Sequence, residues 1–122
     1  YGVYSKDIDR PSWQELGGYG LSVDAMRGIW KGYLAHDEDD WRVQPLHADL
    51  AGLPPTRLTI GELDPLIDEN RALHSKMMAA GVDASLRITP GMNHGVVRYN
   101  LLAPLVATMI DTEGAALKAA LA

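Results

Sequence analysis

Apolar residues recur along this chain in two alternating rhythms. After Ser22, the residues Met26, Ile29, Trp30, Tyr33 and Leu34 fall at helical spacing and form one apolar stripe. Ser22 is a good N-cap, and Asp24 lies where the helix dipole favours a carboxylate. The stripe is rich in aromatics, so this helix is expected to lie against apolar surface. Residues 56–60, Thr-Arg-Leu-Thr-Ile, are a short β-branched run between proline and glycine and read as a strand. Asp64-Pro65 then opens a helix, with proline at its first position and Asp68 and Glu69 in its first turn. Leu66, Leu73, Met77 and Ala80 face inward, and Gly81 supplies the stop. Val82, Ala84, Leu86 and Ile88 alternate with Asp83, Ser85, Arg87 and Thr89, the pattern of a strand at or near a sheet edge. A last helix begins near Ala103-Pro104, with Leu105, Val106, Met109, Ile110, Ala116, Leu117 and Leu121 on one face.

Between these elements the pattern lapses. Tyr1-Gly2-Val3-Tyr4 reads as the tail of a strand. Residues 5–20 read as loop, punctuated by Asp7, Asp9, Pro11, Ser12 and three glycines. The acidic run His36 to Asp40 lacks calcium-loop spacing and reads as a solvated helix end and turn. Residues 41–55 are irregular. Strand, helix, strand, helix argues an α/β fold with parallel strands and crossover helices. Two strands and a stub are too few to bury the apolar faces of these helices, so the fold is expected to be incomplete without an N-terminal part. Isolated, the chain should expose a large apolar edge and tend to associate, homo-oligomers included.

Composition narrows the function classes. The 122 residues include 11 basic and 16 acidic ones, a net charge of -5. No Lys/Arg cluster tracks a phosphate backbone, so no nucleic-acid partner is expected. The absence of cysteine removes disulfides and cysteine-based metal sites. No apolar run reaches the roughly 18 residues of a membrane span. With no signal pattern at the start, a cytoplasmic location is expected.

Two loops carry the chemistry. Asp64 follows the first strand, and His94 follows the second in the glycine-flanked loop from Pro90 to Gly95. Each has an ordinary structural alternative, a helix N-cap for Asp64 and a turn-capping residue for His94. Placed together at the ends of successive strands, they read as the acid and base of a Ser-His-Asp triad. A hydroxyl nucleophile needs such a base, and the carboxylate fixes the tautomer and stabilises the imidazolium. Ser5, Ser12, Ser22, Ser75 and Ser85 all lie away from any strand-to-helix elbow, and no Gly-x-Ser-x-Gly occurs. The nucleophile and the oxyanion donors are therefore expected on sequence outside this chain, and the chain alone is expected to be inactive. Asp68 reads as a helix-dipole residue, with orientation of His94 as the alternative. His36, His47 and His74 lack metal-ligand spacing, so no metal is expected.

Further residues carry a family resemblance: Leu53-Pro54-Pro55, Gly61 to Glu69 (Gly-Glu-Leu-Asp-Pro-Leu-Ile-Asp-Glu), Ala80-Gly81-Val82, and Pro90 to Gly95 (Pro-Gly-Met-Asn-His-Gly). With Ser12, Gly20-Leu21-Ser22, Met26, Trp30 and Tyr33-Leu34 upstream, they resemble the hormone-sensitive-lipase-like branch of the α/β-hydrolases, the fold-3 group of bacterial carboxylesterases. The resemblance implies that residues 1–122 are the C-terminal part of one such domain. Residues 5–45 would be a cap-like segment, and 46–122 the final strands and helices. It also implies cofactor-free hydrolysis of short- to medium-chain carboxylic esters, with Asp64 and His94 as triad acid and base. Trp13, Met26 and Trp30 would help shape the acyl pocket or simply pack in the core. Val96, a further candidate for substrate contact, stands where the family usually has an aromatic residue, which would alter the lining of the pocket more than the chemistry. An alternative is a non-catalytic, hydrolase-derived binding or oligomerisation module; a metal-dependent hydrolase using His36 and the acidic run is a weaker one.

Overall fold

A computed structural model describes residues 1–34 and 40–122, with the side chains of Val96 and Tyr99 outside the description. Its centre is a parallel strand–helix–strand unit. Strand β1 (Thr56–Gly61) pairs in parallel with β2 (Ala84–Thr89), from Thr56 opposite Ala84 to Gly61 opposite Thr89. Before it come helices α1 (Pro11–Leu16) and α2 (Val23–Tyr33); α3 (Ile67–Ala79) is the crossover, and α4 (Pro104–Ala120) follows. Short 3-10 turns lie at Pro45–His47 and Val96–Tyr99.

The sheet has two unlike faces, as strand alternation dictates. Leu58 and Ile60 point to the α3 side. There Leu58 joins Ala48, Leu50, Leu73, Met77 and Val82 in one buried cluster, and Ile60 joins Trp13, Met26, Leu66 and Ile67 in a second. Arg57 and Arg87 point to the α4 side, where both pair with Glu113, at 3.0 and 3.4 Å. A third, smaller cluster of Met92, Val106 and Met109 seats α4 beside the loop after β2.

The end of α3 closes as its sequence predicts. Gly81 adopts φ +79°, its N–H donates to Met78 O, and the Val82 N–H reaches back to Met77 O. This is the reciprocal glycine stop, with Val82 and Met77 in apolar contact. Ser22 caps α2 as expected, its Oγ accepting the Ala25 N–H at 3.1 Å.

Several expectations need correction. Residues 11–16 are helical rather than loop, although the N-cap Arg10 makes no side-chain capping bond. Tertiary contacts hold that turn: the Ser12 N–H donates to Asp68 Oδ2 at 2.9 Å, and Ser12 Oγ to Pro65 O at 2.6 Å. The third helix starts at Ile67, not at Pro65. Asp64 Oδ1 takes the Leu66 N–H and Asp64 O the Ile67 N–H, so an Asx-type turn precedes the helix. Tyr1 to Tyr4 form no ladder with β1, although the Tyr1 nitrogen donates to Thr59 O at 2.9 Å. On α2 only Met26 is fully buried, and Ile29 and Tyr33 are exposed. On α4 the predicted stripe is buried only at Val106 and Met109, while Leu105, Leu117 and Leu121 face solvent. Ile88, expected inward, is partly exposed; Thr89 is buried instead and donates its Oγ1 to Met109 Sδ. The stretch His36 to Asp39 lies outside the described residues. Asp40 pairs with Arg42, whose hydrogen bonds hold its carboxyl down to about 2.

Candidate active site

Asp64 and His94 meet, 30 residues apart in sequence. The parallel pairing of β1 and β2 brings the loops at their ends side by side, and backbone bonds then zip the loops together. The Glu62 N–H donates to Thr89 O at 3.0 Å, and the Leu63 N–H to Met92 O at 2.8 Å. One side chain joins them: Glu62 Oε2 accepts the Gly91 N–H at 2.8 Å.

Close approach of the two loops depends on Gly61. A Cβ at this position would lie 2.2 Å from Met92 O and 2.7 Å from Met92 C. Its φ is unexceptional, so the requirement is for space, not for conformational freedom. Gly91 and Gly95, by contrast, take φ +66° and +73°, the left-handed region that lets the His94 loop reverse within a few residues. Met92 anchors that loop in the core beside Val106 and Met109.

His94 Nδ1 faces Asp64 Oδ2 at 3.0 Å. Asp64 is 1 % exposed, and its other oxygen is held by the Leu66 N–H at 3.0 Å. A buried carboxylate with both oxygens engaged is fixed in orientation, so it selects the imidazole tautomer with the proton on Nδ1. Nε2 is then the ring's lone-pair nitrogen, and it has no hydrogen-bond partner among the described residues. The Tyr1 ring meets the imidazole edge-on, with centroids 5.0 Å apart. Beside it runs the Gly18–Leu21 turn, where a Cβ on Gly20 would stand 3.0 Å from His94 O.

The remaining predicted site residues scatter around this pair. Trp13 and Met26 are buried together in the core beside Ile60, Leu66 and Ile67, with Trp30 packed against them. Met26 and Trp30 also line a cleft of about 290 Å³ with Val3, Ile29 and Tyr33; Asp64 and His94 are not among its lining residues. The side chain of Val96 lies outside the described residues. Asp68 does not orient His94. Its carboxylate instead accepts the Ser12 N–H and pairs with Arg71 at 3.4 Å, so it ties α1 to α3. Among the described residues, no cluster of three or more His, Asp or Glu is arranged to hold a metal ion. None of the described helices is long and apolar enough to cross a membrane.

Sequence reasoning missed Glu62, Glu69 and Asn70. Glu62 carries no local signal, because its partner is 29 residues away. For the other two a signal existed. The inward stripe Leu66, Leu73, Met77 has its missing turn at positions 69 and 70, and both residues are buried. Glu69 Oε1 accepts the Tyr4 N–H at 2.7 Å, and burial pushes its carboxyl up to about 7. Asn70 Nδ2 donates to Leu66 O and Gly2 O.

Known proteins resemble this chain in sequence and in shape. A sequence profile described as alpha/beta hydrolase fold matches residues 1–98. A carboxylesterase of Mycobacterium tuberculosis, NlhH, is 42% identical over 77 residues, 63% of this chain and 24% of the relative. An acetyl esterase of Salmonella enteritidis is 33% identical over 107 residues, 82% of this chain and 32% of the relative. The solved structure of a thermostable carboxylesterase cloned from a metagenomic library superposes with a TM-score of 0.90 at 30% identity, over 96% of this chain and 42% of that one. An esterase of the archaeon Pyrobaculum calidifontis gives 0.86 at 26% identity, over 90% and 38%. The chain thus spans a quarter to two fifths of the length of these relatives. Profile match, identities and superposition agree with the parallel βαβ unit: the chain belongs to the alpha/beta hydrolase fold family and is carboxylesterase-like.

Proposed function

We propose that this chain supplies the acid and the base of a serine carboxylesterase whose nucleophile and oxyanion donors lie on polypeptide outside residues 1–122. The observation that carries this reading is the 3.0 Å contact of His94 Nδ1 with a buried, doubly held Asp64. In the proposed reaction, Nε2 of His94 takes the serine proton as the oxygen attacks the ester carbonyl. The imidazolium that results is stabilised by Asp64. The same proton then passes to the departing alkoxide, leaving an acyl-enzyme. Water then takes the serine's part: His94 again acts first as base toward the water and then as acid, returning the proton to the serine oxygen as the carboxylic acid is released. No cofactor is required. The names of the relatives, carboxylesterase and acetyl esterase, support carboxylic esters of short acyl chains as substrates, and the reading extends to medium-chain ones. Met26 and Trp30, on the wall of the 290 Å³ cleft, are the candidates for acyl contact, with Trp13 packed behind as core.

The test is turnover of p-nitrophenyl butyrate by the complete protein. His94→Ala should lower kcat by about a thousandfold or more, as loss of a triad member does. Turnover within tenfold of the parent would remove His94 from the mechanism. The rival reading, a non-catalytic binding or oligomerisation module, draws on the exposed leucines of α4. It predicts a complete protein that neither turns over esters nor takes up a serine-directed label.

A further inference from the structure

Glu69 is the one deeply buried ionisable group of the described residues that the proposed reaction does not use. Like Asp64, five residues earlier, it is 1 % exposed. Its Oε1 accepts the Tyr4 N–H at 2.7 Å, and its Oε2 is buried without a partner among the described residues. Asn70, beside it on α3, donates to Gly2 O at 3.1 Å, and the Tyr1 nitrogen donates to Thr59 O at 2.9 Å. With the Leu46 N–H donating to Tyr4 O at 3.0 Å, the segment Tyr1–Tyr4 is therefore tied at four points, two of them on the first turn of α3. That segment carries the Tyr1 ring, whose edge-on contact braces the His94 imidazole.

We propose that Glu69 is a positioning residue for the Asp64–His94 pair, acting through its carboxylate bond to Tyr4 and through its charge behind Asp64. The proposal rests on the esterase reading above. The groups that face Glu69 are Asp64 from the turn before α3, and Tyr4, Asp7 and Arg10 from the N-terminal segment. Two carboxylates oppose its ionisation and one guanidinium favours it. Burial outweighs all of them and places its titration in the neutral range, at about 7. Ionised, Glu69 holds the Tyr4 N–H by a charge-assisted bond and adds negative potential behind the imidazolium that forms in the transition state. Protonated, it keeps an acceptor oxygen but loses the charge.

The substitution Glu69→Gln freezes that neutral state while keeping the acceptor. In the complete protein, with p-nitrophenyl butyrate as probe, kcat at about pH 8.5 should fall roughly three- to tenfold while KM stays within twofold, the scale of exchanging a charge-assisted bond for a neutral one. As pH falls through neutrality, kcat of the parent should show an added three- to tenfold drop, which makes its acid limb locally steeper than that of the variant. A purely structural Glu69 would change the melting temperature and leave kcat and the steepness of the limb at their parent values; that result overturns the proposal. Should Glu69→Gln fail to fold, Tyr1→Ala carries the test. A fall in kcat of about threefold or more at constant KM supports the brace, and parent kcat overturns it. His94→Ala, run alongside, keeps the two readings apart: if it retains turnover, the esterase reading itself fails, whatever Glu69 does.

Discussion

Gly61→Ala probes how closely the two site loops must approach. The added Cβ would stand 2.2 Å from Met92 O and 2.7 Å from Met92 C, whereas real Cβ atoms essentially never come within 3.0 Å. Both offending atoms are backbone, so no rotamer relieves the overlap. The His94 loop must move off the end of β1 by the better part of an ångström. Met92 O accepts the Leu63 N–H at 2.8 Å, and His94, two residues on, sits 3.0 Å from Asp64. Neither bond survives such a shift at full strength. The lost loop-to-loop bond costs about 1 kcal/mol, and overpacking adds about 1–3 kcal/mol. The kinetic effect should exceed the thermodynamic one, because displacing a catalytic group by 1 Å can cost about a hundredfold in rate. The assay is kcat and KM for p-nitrophenyl butyrate in the complete protein, alongside a thermal melt. The expected result is kcat lowered by about one to two orders of magnitude, KM held within threefold, and a folded protein. A folded variant with kcat within threefold of the parent would refute the claim that Gly61 sets the acid–base distance.

Two further outcomes concern stability. The carboxyl of Glu69 is raised from its ordinary 4.5 to about 7, so the folded state binds its proton more tightly than the unfolded state does. Its contribution is then fully present below pH 4.5 and is lost as pH rises through 7, a loss of about 3 kcal/mol that Glu69→Gln should abolish in urea melts across that range. A parent and variant with parallel stability curves would contradict it. Glu113 runs the other way: hydrogen bonds from Arg57 hold its carboxyl below the usual range, so its contribution is present above 4.5 and fades as pH falls through the lowered value. Its ion pairs are partly exposed, and Glu113→Gln should cost no more than about 1 kcal/mol at neutral pH, less at high salt. A larger, salt-independent loss would mean that α4 depends on this residue for packing.

How much of this was legible in the sequence depended on how local each cause is. The strands, the crossover helix and the glycine stop rest on neighbours within one turn or one ladder, and Thr56–Gly61, Ile67–Ala79 and Ala84–Thr89 stand close to where periodicity puts them. Helix α1 escaped because its stabilising bonds come from Pro65 and Asp68, more than 50 residues on. The α4 stripe shows the converse: periodicity names an apolar face but not what covers it, and Leu117 and Leu121 remain exposed. At the site, the positions of Asp64 and His94 at successive strand ends were enough to pair them. Gly61 gave no warning, since its φ is one any residue adopts and only the Met92 carbonyl reveals its role. Glu62 likewise depends on a partner across the loop. Glu69 and Asn70 could have been found, because helical spacing from Leu66 to Leu73 requires an inward residue between them.

The most direct test of the central claim is to treat the complete protein and its His94→Ala variant with a fluorophosphonate and map the labelled peptide by mass. One label is expected in the parent, on a serine outside residues 1–122, with its loss or severe slowing in the variant. A label on Ser5, Ser12, Ser22, Ser75 or Ser85, or one that forms equally fast without His94, would contradict the claim.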